Sequence, residues 1–394
     1  MTHTGILTST DHLDLPSIRA DIDATLDDFL TAKEDTAPGP ELGALSGVLR
    51  RSLVGGKRIR PLLCVVGWHA GAGPAAGAAS PSASASVSAS VSVAGRPVRE
   101  TPDAVLRLAA ALELFQSFAL VHDDIIDAAD LRRGRPTAHR ELAAAHASAR
   151  VPAGRPDDPR SEAHGLSAGL LLGDLALVWS DELLHTAGLT PGQLSRVLPV
   201  LDLMRTEIVY GQYLDLVHTG RPAARPSVED ALRVLHYKTA TYTVLRPLLT
   251  GAAAAGATDR VRRACEAYAL PLGEAYQLRD DLLGLFGDPE RTGKAGLGDL
   301  REGKATVPIA LALHRATGPD LRLLRDRLGA DDLTEAEAGR IRRIVDATGA
   351  RSTAEDMITD RYKAALDALD SGALPPAVSA ALREIALAST RRQS

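Results

Sequence analysis

Two acidic segments lie far apart in the chain: LVHDDIIDAADLRRGRP, from Leu120, and YQLRDDLLGLFGD, from Tyr276. If Leu120 to Asp127 is helical, Asp123 and Asp127 stand four residues apart on one face, with Asp124 three positions from Asp127 beside them. Like charges at this spacing destabilise a helix by roughly 0.2–0.5 kcal/mol per pair, so the stripe calls for a cation. Mg²⁺ suits it, as a hard ion that takes one or two carboxylates, keeps several waters and shares its remaining positions with substrate phosphates. The paired segments therefore point to magnesium and diphosphate chemistry. The plain alternative for a lone DDxxD is a solvated helix face. The flanks argue against it, because LELFQSFALVH precedes the acids and LRRGRP follows them. An apolar wall, then acids, then arginines would set a metal cluster at the mouth of a greasy pocket, with Arg132 and Arg133 available for bidentate phosphate contacts.

Other cationic motifs fit the same chemistry. GGKRIRP offers Lys57, Arg58 and Arg60 beside flexible glycine backbone, which supplies open N–H groups, a point charge and a planar donor fork; on its own it is a charged turn. HYKTATY presents Lys238 and Thr239 inside an otherwise apolar helix. DPERTGKAGLGDLREGKAT places Lys294, Arg301 and Lys304 on a Gly-rich loop of the kind that closes over phosphates and excludes water. His122 adjoins Asp123 but points to another helical face and reads as structural. Asp174, Gln212 and Asp215 read as buried polar residues in need of partners. The run Glu182 to His185 gives a single Glu-x-x-His, where a di-iron bundle needs two.

The elements that position these groups are helical. Hydrophobic residues make up 45% of the 394, mostly Ala, Leu and Val, with only 3% aromatic, and they recur at helical spacing. An all-α fold follows, forming a single domain around a central cavity. The spacing predicts a tail over residues 1–14, helices from Leu15, and long helices over Thr101–Asp127, Glu162–Thr186, Pro191–Val217, Val228–Leu249 and Asp259–Leu285, with shorter ones after them. The Ala/Ser/Gly/Pro/Val stretch at about 71–98 lacks bulk to pack and reads as a flexible surface insertion. Residues 147–160 read as a loop whose Asp157 and Asp158 face solvent. A net charge of −5 argues against general nucleic-acid binding. No apolar run reaches spanning length, since Asp174 interrupts LSAGLLLGDLALVW. With no basic region and apolar core at the N-terminus, a cytoplasmic protein without stable membrane insertion is expected. Cys64 and Cys265 lack CxxC spacing and read as buried free thiols.

In the order GGKRIRP, DDIID with LRRGRP, GQYLD, YKT, QLRDDLLG with GDP, TGK and GK, the motifs resemble those of the trans-isoprenyl diphosphate synthases, also called polyprenyl synthetases. The resemblance runs from about Leu15 through nearly the whole chain. It implies the isoprenoid-synthase helical bundle, a homodimer, and condensation of isopentenyl diphosphate with an allylic diphosphate around three Mg²⁺ ions. Carried over by position, Asp123 and Asp127 would bind metal and the allylic diphosphate with Asp124 alongside, and Asp280 would hold metal with Asp281 in support. Arg132, Lys238, Thr239, Gln277 and Lys294 would serve the allylic site, and Lys57, Arg60 and Arg133 the isopentenyl diphosphate site. Lys304 would join the metal and diphosphate cluster. The implied reaction ionises the allylic C–O bond, adds the isopentenyl double bond to the carbocation and loses a proton to the released diphosphate. Two positions depart from the pattern. Gln116 stands where histidine is common, near the isopentenyl diphosphate site, and Gly284 stands where the second motif often ends in an acid. Asp288 is too far along to replace it.

Product length should depend on the floor beneath the first motif. On a helix rising ~1.5 Å per residue, Ala119 lies one turn below Asp123, Phe118 beside it and Phe115 a further turn down. Large Phe118 beside small Ala119 resembles short-chain synthases that release geranylgeranyl diphosphate, with farnesyl diphosphate the alternative. Plain packing would also explain both rings. A terpene cyclase shares the DDxxD motif, yet its second metal site usually begins with asparagine, which this chain lacks. A non-catalytic partner subunit would have lost acids or cations, and here nearly every charged position survives.

Overall fold

Apolar residues at helical spacing produce a helical bundle, here in a computed structural model that describes residues 12–72, 100–150, 159–219, 226–287 and 297–390. Helix α1 (Leu15–Asp35) starts where the Asp14 carboxylate accepts the Ser17 N–H, an N-cap of about 1 kcal/mol. Leu13, placed in the tail by sequence, is only 2% exposed, so packing begins before the helix does. Helices α2 (Pro40–Leu53) and α3 (Ile59–Ala72) follow. Most of the insertion expected at 71–98 lies outside the described residues; Gly71 and Ala72 still belong to α3.

The central helix is α4 (Asp103–Ile126), whose LRLAAALELF stretch is buried on nearly every side against α1, α3 and α6 (Pro159–His185). Each fully buried leucine there, such as Leu108 or Leu114, stabilises the fold by roughly 1.5–3 kcal/mol. Helix α5 (Ala138–Arg150) runs against α6. The loop expected at 147–160 is thus helical at both ends, and its centre, with Asp157 and Asp158, lies outside the described residues. The prediction that no segment reaches spanning length is corrected at the level of whole helices. Both α4 and α6 are long and apolar enough to cross a membrane, because a single Asp174 does not offset the leucines around it; 61% of the α4 window is buried inside the bundle against 39% for α6.

Helix α7 (Pro191–His218) opens with a reciprocal Thr190/Gln193 cap and Pro191 in its first turn. The single helix expected over Val228–Leu249 is three joined pieces: α8 (Val228–Val234), a π-helix (Leu235–Leu245) and α9 (Arg246–Ala255). Periodicity alone cannot reveal the wider turns, which arise from packing against α7 and α10 (Asp259–Phe286). Six further helices complete the described fold: α11 (Gly298–Glu302), α12 (Val307–Arg315), α13 (Gly318–Arg327), α14 (Glu335–Ala347), α15 (Ala350–Leu369) and α16 (Pro376–Thr390). One apolar cluster joins α1–α7, α9 and the first half of α10; a second lies between the rest of α10 and α11–α15. Helix α10 belongs to both, which makes it a fixed mount for its acidic end. Cys64 and Cys265 are buried and free, as expected, and burial pushes the Cys265 thiol up to about 12.

Candidate active site

Asp123 and Asp124 occupy the last turn of α4, and Asp127 caps its C-terminus, with its N–H donating to the Asp123 carbonyl at 2.8 Å. The i, i+4 stripe inferred from sequence is therefore present. Carboxylates at a helix C-terminus also meet the negative end of its dipole, which adds to the demand for cations. Three arrive from separate parts of the chain.

The first comes from the segment after α4. The chain turns through Ala128 and forms a two-residue antiparallel hairpin, β1 (Leu131–Arg132) with β2 (Arg135–Pro136). Arg133 and Gly134, at the tip, have φ of 53° and 73°, as a tight hairpin turn requires. Arg132 is thereby returned to the acids: Nε donates to both Asp124 oxygens at 2.7 and 2.9 Å, and Nη2 lies 3.3 Å from Asp123 Oδ2. The second cation is Lys238 on the π-helix, 3.1 Å from Asp123 Oδ1 and 2.6 Å from Asp215 Oδ2 of α7. Gly211 of α7 lets this happen, since a Cβ there would meet the Lys238 backbone N at 2.3 Å; on the other side, a Cβ at Gly273 of α10 would meet the Ala240 carbonyl at 2.6 Å. The third is Lys304, which follows the left-handed Gly303 that ends α11. Its Nζ lies 2.7 Å from Asp127 Oδ2 and 2.6 Å from Glu302 Oε2.

Electrostatics separate the three acids. Burial opposes ionisation of Asp123, but Lys238, Lys304 and Arg132 outweigh it and hold the carboxyl at about 2. Asp124 and Asp127 are both pushed upward, because burial exceeds the help of Arg132 for one and Lys304 for the other. Burial works against the Lys238 ammonium as well, yet Asp123 and Asp215 raise it, and Lys304 is raised further by Asp127, Asp299 and Glu302. The acids' oxygens are hard donors that suit Mg²⁺. Asp123 Oδ1 is buried and, although 3.1 Å from the Lys238 ammonium, accepts no hydrogen bond. A buried carboxylate oxygen left short of a well-formed hydrogen bond is a fit for a divalent ion. Among the described residues no three acidic, histidine or cysteine side chains converge at ligating spacing, because the lysines and Arg132 stand between the carboxylates.

The second acidic segment is the C-terminal turn of α10. Asp281 is 7% exposed and accepts a hydrogen bond from Gln277 Nε2 at 2.7 Å; Asp280 is half-buried. Gln277 thus orients the second acid of the pair. Thr239 sits half-buried beside Lys238. Lys294 lies outside the described residues.

A neighbouring corner holds the other cationic motif. Arg58, one of the residues offered as a phosphate ligand, is instead a buried pin: Nε donates to Asp23 Oδ1 at 2.6 Å, Nη1 to Glu113 Oε1 at 2.7 Å and Nη2 to the Leu53 carbonyl at 2.9 Å. The corrected reading follows from burial, since a guanidinium 8% exposed needs carboxylate partners. With Arg58 fixed, Lys57 is exposed on the turn. The Arg60 guanidinium stacks 4.3 Å over the Tyr242 ring and donates to Thr243 Oγ1 at 2.6 Å, while its Nε is buried without a partner. The Tyr242 hydroxyl donates to Gln116 Oε1 at 2.5 Å. Arg133 is exposed at the hairpin tip and makes no ion pair among the described residues; partial burial and then Arg132 lower its pKa, and Arg58 and Glu113 are within electrostatic reach. Among the described residues, the three non-glycine residues with positive φ are Arg58, Ala128 and Arg133. All flank this site, where backbone strain of about 1–3 kcal/mol per residue commonly collects.

Beneath the acids, Phe115 is 2% exposed, with its ring 5.2 Å from Phe118 and 5.9 Å from Tyr242. Phe118 continues upward to His122 at 4.8 Å, and His122 Nε2 lies 3.1 Å from the Leu170 carbonyl. His122 is therefore structural, as expected. Ala119 is half-buried. Leu108, Leu112, Phe115, Leu201 and Met204 line a small cavity. Sequence reasoning missed Tyr242, Glu302 and Asp299 and ranked Asp215 as a plain buried polar residue. DLREGK did carry a signal: its acids precede Lys304 by two and five residues.

This constellation has relatives. The family model described as Polyprenyl synthetase matches residues 44–346. The chain belongs to the polyprenyl synthetase family. It is 30% identical over 270 residues to a geranylgeranyl diphosphate synthase of Mycobacterium tuberculosis, covering 68% of this chain and 69% of that one. It is 27% identical over 368 residues to a geranylfarnesyl diphosphate synthase of Aeropyrum pernix, covering 92% and 95% respectively. Among solved structures, a geranylgeranyl pyrophosphate synthase from Corynebacterium glutamicum, complexed with isoprenyl diphosphate and magnesium, matches with a TM-score of 0.85 at 37% identity over 97% of this chain and 100% of that one. Members of this family are trans-prenyltransferases, and this chain is an enzyme of that class with the all-α isoprenyl synthase fold.

Proposed function

We propose that this polyprenyl synthetase condenses isopentenyl diphosphate with an allylic diphosphate to give a short all-trans prenyl diphosphate, with geranylgeranyl diphosphate as the product. The observation that carries the reading is the convergence of Arg132, Lys238 and Lys304 on Asp123, Asp124 and Asp127, one to two helical turns along α4 from the tilted Phe115/Phe118 pair. Asp123, Asp127 and Asp280, with Asp281 in support, would hold Mg²⁺. When bound, Mg²⁺ neutralises charge that builds on the departing diphosphate.

The chain's own residues supply the rest. Lys238 and Lys304 can exchange a carboxylate oxygen for a phosphate oxygen, so the diphosphate meets positive charge already in place. Asp124 keeps Arg132 aimed, and Thr239 and Gln277 border the same cluster. Lys57, Arg60 and Arg133 would bind the second diphosphate, with Gln116 presented by the Tyr242 hydroxyl and lending a hydrogen bond instead of a charge. Apolar walls of α4 shield the allylic cation from water. The released diphosphate would take the proton.

Product length rests on Phe115 and Phe118. Relatives carry names for geranylgeranyl and geranylfarnesyl products, so the floor itself is the discriminating feature. Purified protein given Mg²⁺, isopentenyl diphosphate and dimethylallyl, geranyl or farnesyl diphosphate should yield geranylgeraniol after dephosphorylation, read by mass spectrometry. Farnesol as the end point would raise the floor; hydrocarbons without elongation would favour a cyclase; no turnover by folded protein would favour a partner subunit. We also propose a homodimer. Large apolar side chains stand exposed on α6 and α7, including Leu171 at 63% and Val209 at 62%, and a second copy would cover them. A cytoplasmic location remains part of the proposal; the burial of α4 within the bundle bears only on whether that helix enters a membrane.

A further inference from the structure

His122 adjoins Asp123 yet takes no part in the proposed chemistry. Its surroundings are built all the same. Nε2 lies 3.1 Å from the Leu170 carbonyl and 3.6 Å from Asp174 Oδ1, both on α6. A carbonyl oxygen only accepts, so Nε2 carries a proton and donates it. On the same helix, a Cβ at Gly173 would meet His122 Cδ2 and Nε2 at 2.3 Å each. Glycine is unfavourable inside a helix relative to alanine, and at this point of α6 it makes room for the imidazole. The imidazole in turn stands edge-on to the Phe118 ring, with centroids 4.8 Å apart at 69°. We propose that His122 is a positioning residue for product length: seated against α6 at Gly173, it holds the Phe118 ring across the path of the growing prenyl chain.

Helical spacing sets up the arrangement. Phe118 lies four residues before His122 and three after Phe115, so the three rings rise along one side of α4. Helical side chains lean toward the N-terminus; His122 therefore leans onto Phe118, and Phe118 onto Phe115, where the rings meet at 5.2 Å and 54°. Phe115 is fixed by burial, whereas Phe118 is half-buried and depends on its neighbours for its orientation. Removing the imidazole leaves space one turn above Phe118 on the α6 side. The ring then turns toward α6 and away from Ala119, along which the tail descends from Asp123. An edge-to-face pair biases such an equilibrium by roughly 2- to 12-fold, which sets the size of the expected change in product ratio.

This assignment rests on the proposed function, because it concerns the length to which that reaction runs. The test separates the two. Wild type, His122→Ala, Gly173→Ala, the double variant and Ile341→Ala are each given Mg²⁺, isopentenyl diphosphate and geranyl diphosphate. The dephosphorylated alcohols are sized by mass spectrometry, KM is measured for both substrates, and circular dichroism verifies folding. His122→Ala should raise the ratio of geranylfarnesol to geranylgeraniol by roughly 2- to 12-fold, with both KM values changed less than about twofold, since no diphosphate contact is lost. Gly173→Ala should do the same, because the tip of the imidazole must yield to the new methyl group. The double variant should match His122→Ala alone, the residue displaced being already absent. Ile341→Ala, fully buried in the second apolar cluster and away from both helices, should leave the ratio unchanged while lowering stability. An unchanged or shorter product from folded His122→Ala, additive effects in the double variant, or an equal shift in Ile341→Ala would overturn the assignment and leave the proposed function intact. A wild type that stops at farnesol while the variants run longer would correct the product and uphold the role of His122. A folded wild type that elongates nothing would overturn both.

Discussion

Asp123 and Asp127 share a helix face yet carry opposite pKa shifts, and that contrast can be measured. The Asp123 carboxyl is held at about 2, below an ordinary aspartate near 3.9. A depressed carboxylate contributes stability that is present above its unfolded value and lost as pH falls through the folded one. Asp123→Asn should therefore lower stability near pH 7 by roughly 2 kcal/mol, a deficit that shrinks between about pH 4 and 2. Asp127 is raised by burial despite Lys304, so its ionised form costs stability that is absent at low pH and grows as pH rises through the raised value. Asp127→Asn removes that cost but also takes the first counter-charge from the Lys304 ammonium, so relative to the wild type it should gain stability as pH rises from about 4 to 8, the opposite trend to Asp123→Asn. Denaturant titrations of both variants at pH 8, 4 and 2 decide this, and identical pH dependence in the two would refute it. Both substitutions should depress prenyl transfer by more than about 100-fold at pH 8, as loss of preorganised charge does.

Among elements, the π-helix has the sharpest requirement. Gly211 and Gly273 let α7 and α10 press backbone to backbone on either side of it, and Lys238 sits at the closer contact. Gly211→Ala must push the π-helix away from α7. The expected cost is about 1–3 kcal/mol of stability, and a shift of about 1 Å in Lys238 should lower kcat about 100-fold. Leu214→Ala, at another buried point of α7, is the control: it should lower stability by a similar amount through its cavity while kcat changes less than about threefold. Equal kcat losses in the two would mean that general destabilisation, and not displacement of Lys238, accounts for the Gly211 effect. The boundaries of α4, α6, α7 and α10 were legible in the sequence because long apolar periodicity and caps such as Thr190/Gln193 are local signals. The π-helix was not, because its close packing against two glycines on other helices leaves no local signal.

For the whole molecule, α4 and α6 show how one composition meets two fates. The apolar length of α4 is absorbed by the bundle, while α6 keeps Leu171 and Val178 exposed. If a second copy covers that face, Leu171→Asp with Val209→Asp should convert a dimer to a monomer in light scattering, with the circular dichroism spectrum retained; a wild type that is already monomeric would refute the dimer. What the sequence by itself determined is the class of protein: an all-α bundle, two acidic segments and cationic motifs in family order, legible because each motif is a short local pattern. Tertiary structure alone decided which charges meet. Arg58 became a buried pin to Asp23 and Glu113, Tyr242 came to present Gln116, and Asp299 filled the space beside Gly284. Such pairings join residues far apart in the chain, and burial and close approach, which no local pattern encodes, select among the many cations and acids available.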